Sequence, residues 1–160
     1  MSRARVLIDA CLTVELAWLA HERGYEAYHL RDISKERLLD GQLKPIIIEG
    51  GYCFVTRNAE DFRGPALAPG NAGEYAGVDL HAGLVCIHGP PRGFRKEEQL
   101  EAFSIALDLI DAANGDPVNL LIEVTWTPDG IDVDVVDFPK DPAAKPDDSF
   151  ANYVLRRADD

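Results

Sequence analysis

The sequence predicts an α/β fold with a mostly parallel sheet closed at one end by an antiparallel hairpin. Three observations predict it. Short apolar runs (RVLI, YCFVT, GLVCIH) alternate with longer segments of helical periodicity through the first two-thirds of the chain. Alternation of that kind builds right-handed βαβ units, and so parallel strands. Further on, two strand-like runs are joined by Thr127-Pro128-Asp129-Gly130, a strong hairpin signal.

The elements follow in chain order. Arg5–Ile8 is the first strand, and a helix is expected over about 12–23, with Leu12, Leu16, Leu19 and Ala20 on one face. Gly24 is placed to cap it. Tyr25–Leu30 reads as a second strand, and RDISKERLLD as a loop or helix entry. A helix is expected over 39–49, where Pro45 is tolerated near the first turn or at a kink. Tyr52–Thr56 is the third strand. Residues 63–80 are rich in Gly, Pro and Ala without periodicity, so they read as a lid or a partner-binding segment. Gly83–His88 is the fourth strand, and residues 95–113 form the clearest helix, with Leu100, Phe103, Leu107 and Ile110 in one stripe. Asn119–Trp126 and Ile131–Phe138 make the hairpin. The segment after Pro139 is rich in proline and aspartate and reads as a flexible tail, with Phe150–Arg157 as a short docked helix.

Composition narrows the class. At 160 residues one domain is the default. No stretch is long and apolar enough to span a bilayer, and the start lacks the pattern of a signal peptide. Three widely spaced cysteines in apolar segments (Cys11, Cys53, Cys86) read as reduced and buried, as in a cytoplasmic protein. The net charge of −12 is uneven: residues 1–64 carry −1 and the rest carry −11. An acidic half repels phosphate, so a nucleic acid would approach the near-neutral half, while a basic protein partner would suit the acidic face.

The chemistry-bearing residues gather in the near-neutral half. Asp9 ends the first strand and Asp61 follows the third, so both belong to the sheet edge at which open α/β sheets bind ligands. Asp40 lies where a helix begins, and the helix dipole there favours the ionised carboxylate. Asn58 lies three residues before Asp61, and Thr56 can orient a ligand or a water. Several carboxylates facing one cleft repel one another unless a cation neutralises them. Hard oxygen donors suit Mg²⁺ or Mn²⁺, and Arg57 and Arg63 flank the acids as phosphate contacts. The competing reading is that such aspartates only order turns and cap helices.

Other features read as structural. The histidines His21, His29, His81 and His88 do not cluster as zinc ligands would. Asp132 and Asp134 alternate with Ile131, Val133 and Val135, the pattern of a solvated strand face. The basic turn Arg92-Gly93-Phe94-Arg95-Lys96 reads as an ordinary helix approach. Walker, Rossmann and nucleophile-elbow motifs are absent from the sequence, and Asp9-Ala10-Cys11 does not match the Asp-x-Asp of haloacid dehalogenase phosphatases.

In order, Leu7-Ile8-Asp9-Ala10-Cys11-Leu12, Gly24-Tyr25-Glu26-Ala27-Tyr28-His29, Asp40, Val55-Thr56-Arg57-Asn58-Ala59-Glu60-Asp61-Phe62 and His81-Ala82-Gly83-Leu84-Val85 resemble the PIN-like family. The resemblance is to its short uncharacterised members related to VapC-type toxin ribonucleases, and covers about residues 5–113. It implies a three-layer α/β/α fold with residues 1–139 as one PIN-like domain; the resemblance does not extend to 140–160, which composition marks as an acidic tail. It also implies a metal-dependent endoribonuclease in which Asp9, Asp40 and Asp61 hold Mg²⁺ or Mn²⁺, Asn58 and Thr56 support them, and a metal-bound water cleaves RNA. A small antitoxin partner and often a homodimer come with the resemblance. The chain departs from the family pattern in two places: Cys11 stands where a polar residue is usual, and the further acid of the VapC site has only Asp32 and Glu15 as weak matches. The alternative expectation is a catalytically silent PIN-like protein-interaction module, and a metal-dependent phosphatase ranks third.

Overall fold

A computed structural model describes residues 3–140, so the expected tail and its helix at Phe150–Arg157 lie outside the described residues. Six strands form one sheet in the order β2-β1-β3-β4-β5-β6. These are β1 (Arg5–Ile8), β2 (Glu26–His29), β3 (Tyr52–Thr56), β4 (Leu84–His88), β5 (Leu120–Thr127) and β6 (Gly130–Asp137). The first five are parallel and β6 runs antiparallel to β5, as the alternation and the hairpin signal predict. Among the described residues four α-helices accompany the sheet: α1 (Glu15–Glu22), α2 (Asp40–Glu49), α3 (Ala59–Arg63) and α4 (Lys96–Ala112).

The inner strands β1, β3 and β4 are nearly uninterrupted apolar runs because both faces of the sheet are covered there, whereas the edge strand β6 alternates with exposed aspartates. Successive residues alternate between two cores. Val6, Ile8, Val55, Val85, Ile87 and Ile122 face α1 and α4. Leu7, Phe54, Leu84, Cys86 and Leu121 face the opposite side, where Leu43 and Ile47 of α2 and Phe62 of α3 pack. Phe54 and Phe62 meet with ring centroids 4.9 Å apart.

Local sequence explains the ends of the elements. Leu16, Ala17 and Ala20 bury one face of α1, and Gly24 follows it at φ +90°, the left-handed turn that suits glycine. Leu19 and Leu100, expected on the buried stripes, are only half-buried. β2 stops at His29, whose ring accepts from the Arg31 N–H (3.0 Å) and donates to the Leu12 carbonyl (2.8 Å). That ring pins a short 3-10 turn at Leu30–Ile33, which takes Leu30 out of the expected strand and opens the stretch expected to be a loop or helix entry. Pro45 sits in the second turn of α2. The carbonyl its ring leaves unbonded belongs to exposed Gly41, where water can serve it.

Two expectations need correction. Cys53 and Cys86 are buried, but Cys11 is exposed, because it lies in the turn after β1 and not in the strand. The Gly/Pro-rich segment, irregular from 64 to 83, is no free lid. Gly70 N–H bonds to the Arg63 carbonyl (2.7 Å), Glu74 N–H to that of Asp61 (2.9 Å) and Tyr75 N–H to that of Phe62 (3.0 Å). A Cβ on Gly64 would stand 2.4 Å from the Ala72 carbonyl oxygen, so only glycine allows the return strand so close. Tyr75 is buried against Phe62, His81 and Phe138. His81 accepts from Gly83 N–H at Nδ1 (3.0 Å) and donates to the Phe138 carbonyl from Nε2 (2.5 Å), with burial holding its pKa below the usual histidine value. The loop is therefore a plug anchored to α3 and to the end of the hairpin.

Candidate functional site

The sheet order reverses direction between β1 and β3, so the crevice beyond their carboxyl ends is the topological switch point of the fold. Asp9 follows β1 there. Its backbone N–H extends the β1–β3 ladder by bonding to the Val55 carbonyl (2.9 Å), and its side chain is nearly buried. Both carboxylate oxygens are engaged: Oδ1 accepts from the Ala10 N–H (2.7 Å), and Oδ2 from the Thr56 hydroxyl (2.7 Å). The Thr56 oxygen also accepts from the Asn58 N–H (3.0 Å), so Thr56 links the ends of β1 and β3 and fixes the Asp9 rotamer.

Asp40 opens α2 and Asp61 lies in α3, on the two helices that cover one face of the sheet. Partial burial raises the Asp40 carboxyl above the usual aspartate value, and the negative charges of Asp61, Asp9 and Glu74 push it further. The charges of Asp61 and Asp9, two of the aspartates singled out from the sequence, thus reach the Asp40 carboxyl, as does that of Glu74, an acid that sequence reasoning missed. Glu74 arrives from the anchored loop, where its carboxylate lies 3.9 Å from a Cβ position on Gly41. The sequence-level matches for the further acid are used elsewhere. Asp32 caps the 3-10 turn by accepting from the His29 N–H (3.2 Å), and Glu15 pairs with Lys96 (3.4 Å).

The donor chemistry fits a hard divalent cation, being oxygen alone from carboxylates, an amide and a hydroxyl. The spacing is looser: among the described residues, no three His, Cys, Asp or Glu side chains are grouped so as to hold a metal ion. The acids would have to draw inward to share one. Cys11 adds no ligand of its own. Its thiol is pushed up to about 11, chiefly by loss of water around the sulfur and then by the Asp9 charge, although the residue as a whole is exposed. At neutral pH it is a protonated thiol and not a thiolate.

Beside the acids lies a polar cleft of about 390 Å³ lined by Arg57, Asn58, Asp61, Arg63 and His88, among others. Asn58 and Arg57 are exposed on it, and the Arg57 guanidinium rests 5.8 Å from the Phe94 ring centroid. Arg63 is not a free phosphate contact. It is buried, donates to the Gly64 carbonyl (2.6 Å) and forms an ion pair with Glu123 of β5, which also takes His88 Nε2 at 3.2 Å. Burial alone would raise the Glu123 carboxyl, yet the hydrogen bonds from His88 and Arg63 hold it below the usual value. The only sequence sign of Glu123 was a charge inside an apolar strand.

Comparison with known proteins adds one relative. No family model matches the chain, and no solved structure matches it. An uncharacterised protein, y4eN, from Sinorhizobium fredii (strain NBRC 101917 / NGR234) is 50% identical over 88 residues, covering 54% of this chain and 85% of the relative. The chain therefore belongs to the same protein family as y4eN.

Proposed function

We propose that this protein is a PIN-like, Mg²⁺- or Mn²⁺-dependent endoribonuclease, and that it acts as the toxin of a toxin–antitoxin pair. The observation that carries the reading is Asp9 at the switch point, held there by Thr56, beside an Asp40 whose carboxyl is raised by burial and then by the charges of Asp61, Asp9 and Glu74. Like charges gathered at a ligand-binding crevice are costly unless something bound there offsets them. Asp9, Asp40 and Asp61, with Glu74 as the further acid, are the residues that would hold the ion. When bound, it would polarise a phosphodiester and stabilise charge on the leaving oxygen. The protein's own part is positioning. Thr56 holds Asp9 in one orientation, exposed Asn58 offers an amide to water or substrate, and Arg57 offers a cation to a phosphate entering the cleft. The buried free thiols of Cys53 and Cys86 suit a reducing, cytoplasmic setting. Among the described residues no helix is long and apolar enough to cross a membrane.

The second reading is a silent interaction module of the same fold, favoured by the loose spacing of the acids. Calorimetry with Mn²⁺ separates the two, run on wild type and on Asp9→Asn/Asp61→Asn, followed by RNA cleavage with both samples. Binding and cleavage lost together in the variant support the nuclease. Equal weak binding and no cleavage in either sample would sink it and leave the interaction module.

A further inference from the structure

We propose that the groove between α1 and α4 is a docking site for an apolar, arginine- or lysine-bearing segment of a partner protein. The groove, of about 470 Å³, is lined by Glu15, Trp18, Leu19, Glu22, Leu100, Glu101 and Ser104. Ion pairs clamp the two helices near its ends. Arg23 pairs with Asp108 (2.7 Å) and Asp111 (2.8 Å) at one, and Lys96 pairs with Glu15 (3.4 Å) at the other.

Between the clamps the surface is apolar and negative. Trp18 is 57% exposed, an unusual state for a tryptophan on a helix that buries Leu16, Ala17 and Ala20 beneath it. Leu19 and Leu100 lie half-buried beside it. Glu22 and Glu101 are exposed on the rim, and among the described residues neither lies within 4.0 Å of a cationic group. No lysine or arginine lines the groove.

Charge complementarity selects the occupant. A tryptophan face flanked by two uncompensated carboxylates is a receptor for a guanidinium or ammonium group, which can lie over the indole while bonding to a glutamate. Leucine-sized groups on the same segment would fill the floor beside Leu19 and Leu100, as an amphipathic helix does in a hydrophobic groove. Tryptophan and arginine are also among the residue types most enriched at the hot spots of protein interfaces. The site is independent of the acids at the sheet edge and stands whether or not the protein cleaves RNA.

The test is calorimetric titration of the full chain with a designed helical peptide patterned in leucine and arginine, against the same peptide with every arginine replaced by glutamate. Circular dichroism checks that each variant is folded. The arginine peptide is expected to bind and the glutamate peptide not to. Trp18→Ala and Glu22→Lys/Glu101→Lys are each expected to weaken binding by about tenfold or more. Asp132→Lys/Asp134→Lys makes the same change in net charge on the exposed face of β6, and is expected to weaken it by less than about threefold, the share due to long-range attraction. Trp18→Gln serves if the alanine variant does not fold.

Four results would overturn the proposal. They are no binding by wild type, binding that ignores Trp18, equal losses in the two charge-reversed variants, or self-association by sedimentation that Trp18→Ala abolishes. The last would assign the groove to a second copy of the chain.

Discussion

Two charged clusters stand almost side by side at the carboxyl edge of the sheet, and the chain treats them in opposite ways. At the ends of β4 and β5, Glu123 is enclosed by Arg63 and His88, and its carboxyl is held below the usual value in spite of burial. At the ends of β1 and β3, Asp9, Asp40, Asp61 and Glu74 form no ion pair among the described residues, and Asp40 is pushed up by burial and then by the charges of the other three. The first cluster is complete in itself and works as a fastening between α3 and the sheet. The second is left unbalanced where ligands enter an α/β fold. A charge cluster that the protein neutralises is architecture; one that it leaves unneutralised marks a place for something from outside.

This contrast can be broken most sharply at the unbalanced cluster. If the protein is the proposed nuclease, Asp61→Asn, at an exposed position, is expected to lower RNA cleavage by about a thousandfold, on the order of 4 kcal/mol of transition-state stabilisation, without lowering the melting temperature. A variant that cleaves as well as wild type would remove the acids from the reaction. At the balanced cluster the outcome should be reversed. Arg63→Ala leaves Glu123 with His88 alone and should cost about 3 kcal/mol in urea unfolding. A loss below about 0.5 kcal/mol would mean that the pair is not fastening the fold.

Thr56→Val sharpens the comparison, because Thr56 lies between structure and chemistry. It removes the donor to Asp9 Oδ2 and the acceptor of the Asn58 N–H at once. About 1–2 kcal/mol of stability should be lost, and cleavage should fall about tenfold, as for other groups that orient ligands. Unchanged cleavage would show that Asp9 needs no orienting.

The smallest effect concerns pH, and its sign differs between the clusters. Asp40 has a raised folded-state pKa, so the folded protein holds its proton more tightly and loses stability as pH rises from the ordinary aspartate range through the raised value. Asp40→Asn should therefore be slightly more stable than wild type at neutral pH, and that advantage should fade on acidification. Glu123 has a lowered folded-state pKa, so its contribution is present above the ordinary glutamate value and is lost as pH falls through the lowered one. Glu123→Gln should accordingly be destabilised at neutral pH and approach wild type in acid. Melting curves from acid to neutral pH that shift in the same direction for both variants would contradict the contrast.

Much of this was legible in the chain, for physical reasons that also mark where legibility ends. Uninterrupted apolar runs such as Tyr52–Thr56 are what a strand covered on both faces requires, so the parallel sheet and the hairpin followed from pattern alone. Aspartates just past those runs or at a helix start lie near the sheet's carboxyl edge, which is why the charges of Asp9 and Asp61 reach Asp40. Glu74 carried no such sign, since its segment has no period and its place depends on backbone bonds to α3. The Arg63–Glu123 pair was hidden likewise: an arginine beside acids reads as a substrate contact until its partner, sixty residues on, is seen beneath it. Cys11 misled because a turn directly after a strand looks, in one dimension, like its continuation.

The anchored loop has a consequence for how such a site changes over time. Three of the four clustered acids depend on the sheet and its helices, but Glu74 is delivered by an excursion that begins and ends at α3 and β4. Its carboxylate is registered to Asp61 through the backbone, by the bond from Glu74 N–H to the Asp61 carbonyl, with glycine at 64 permitting the close return. Residues 65–69 are chiefly exposed and lie before that register, so they can lengthen or shorten without disturbing it. A single residue gained or lost between Gly70 and Tyr75 would instead withdraw the fourth acid while sparing the strands. One short stretch of chain thus gives this architecture a way to acquire or discard an acid at the crevice in a single genetic event, with the rest of the molecule left as it was.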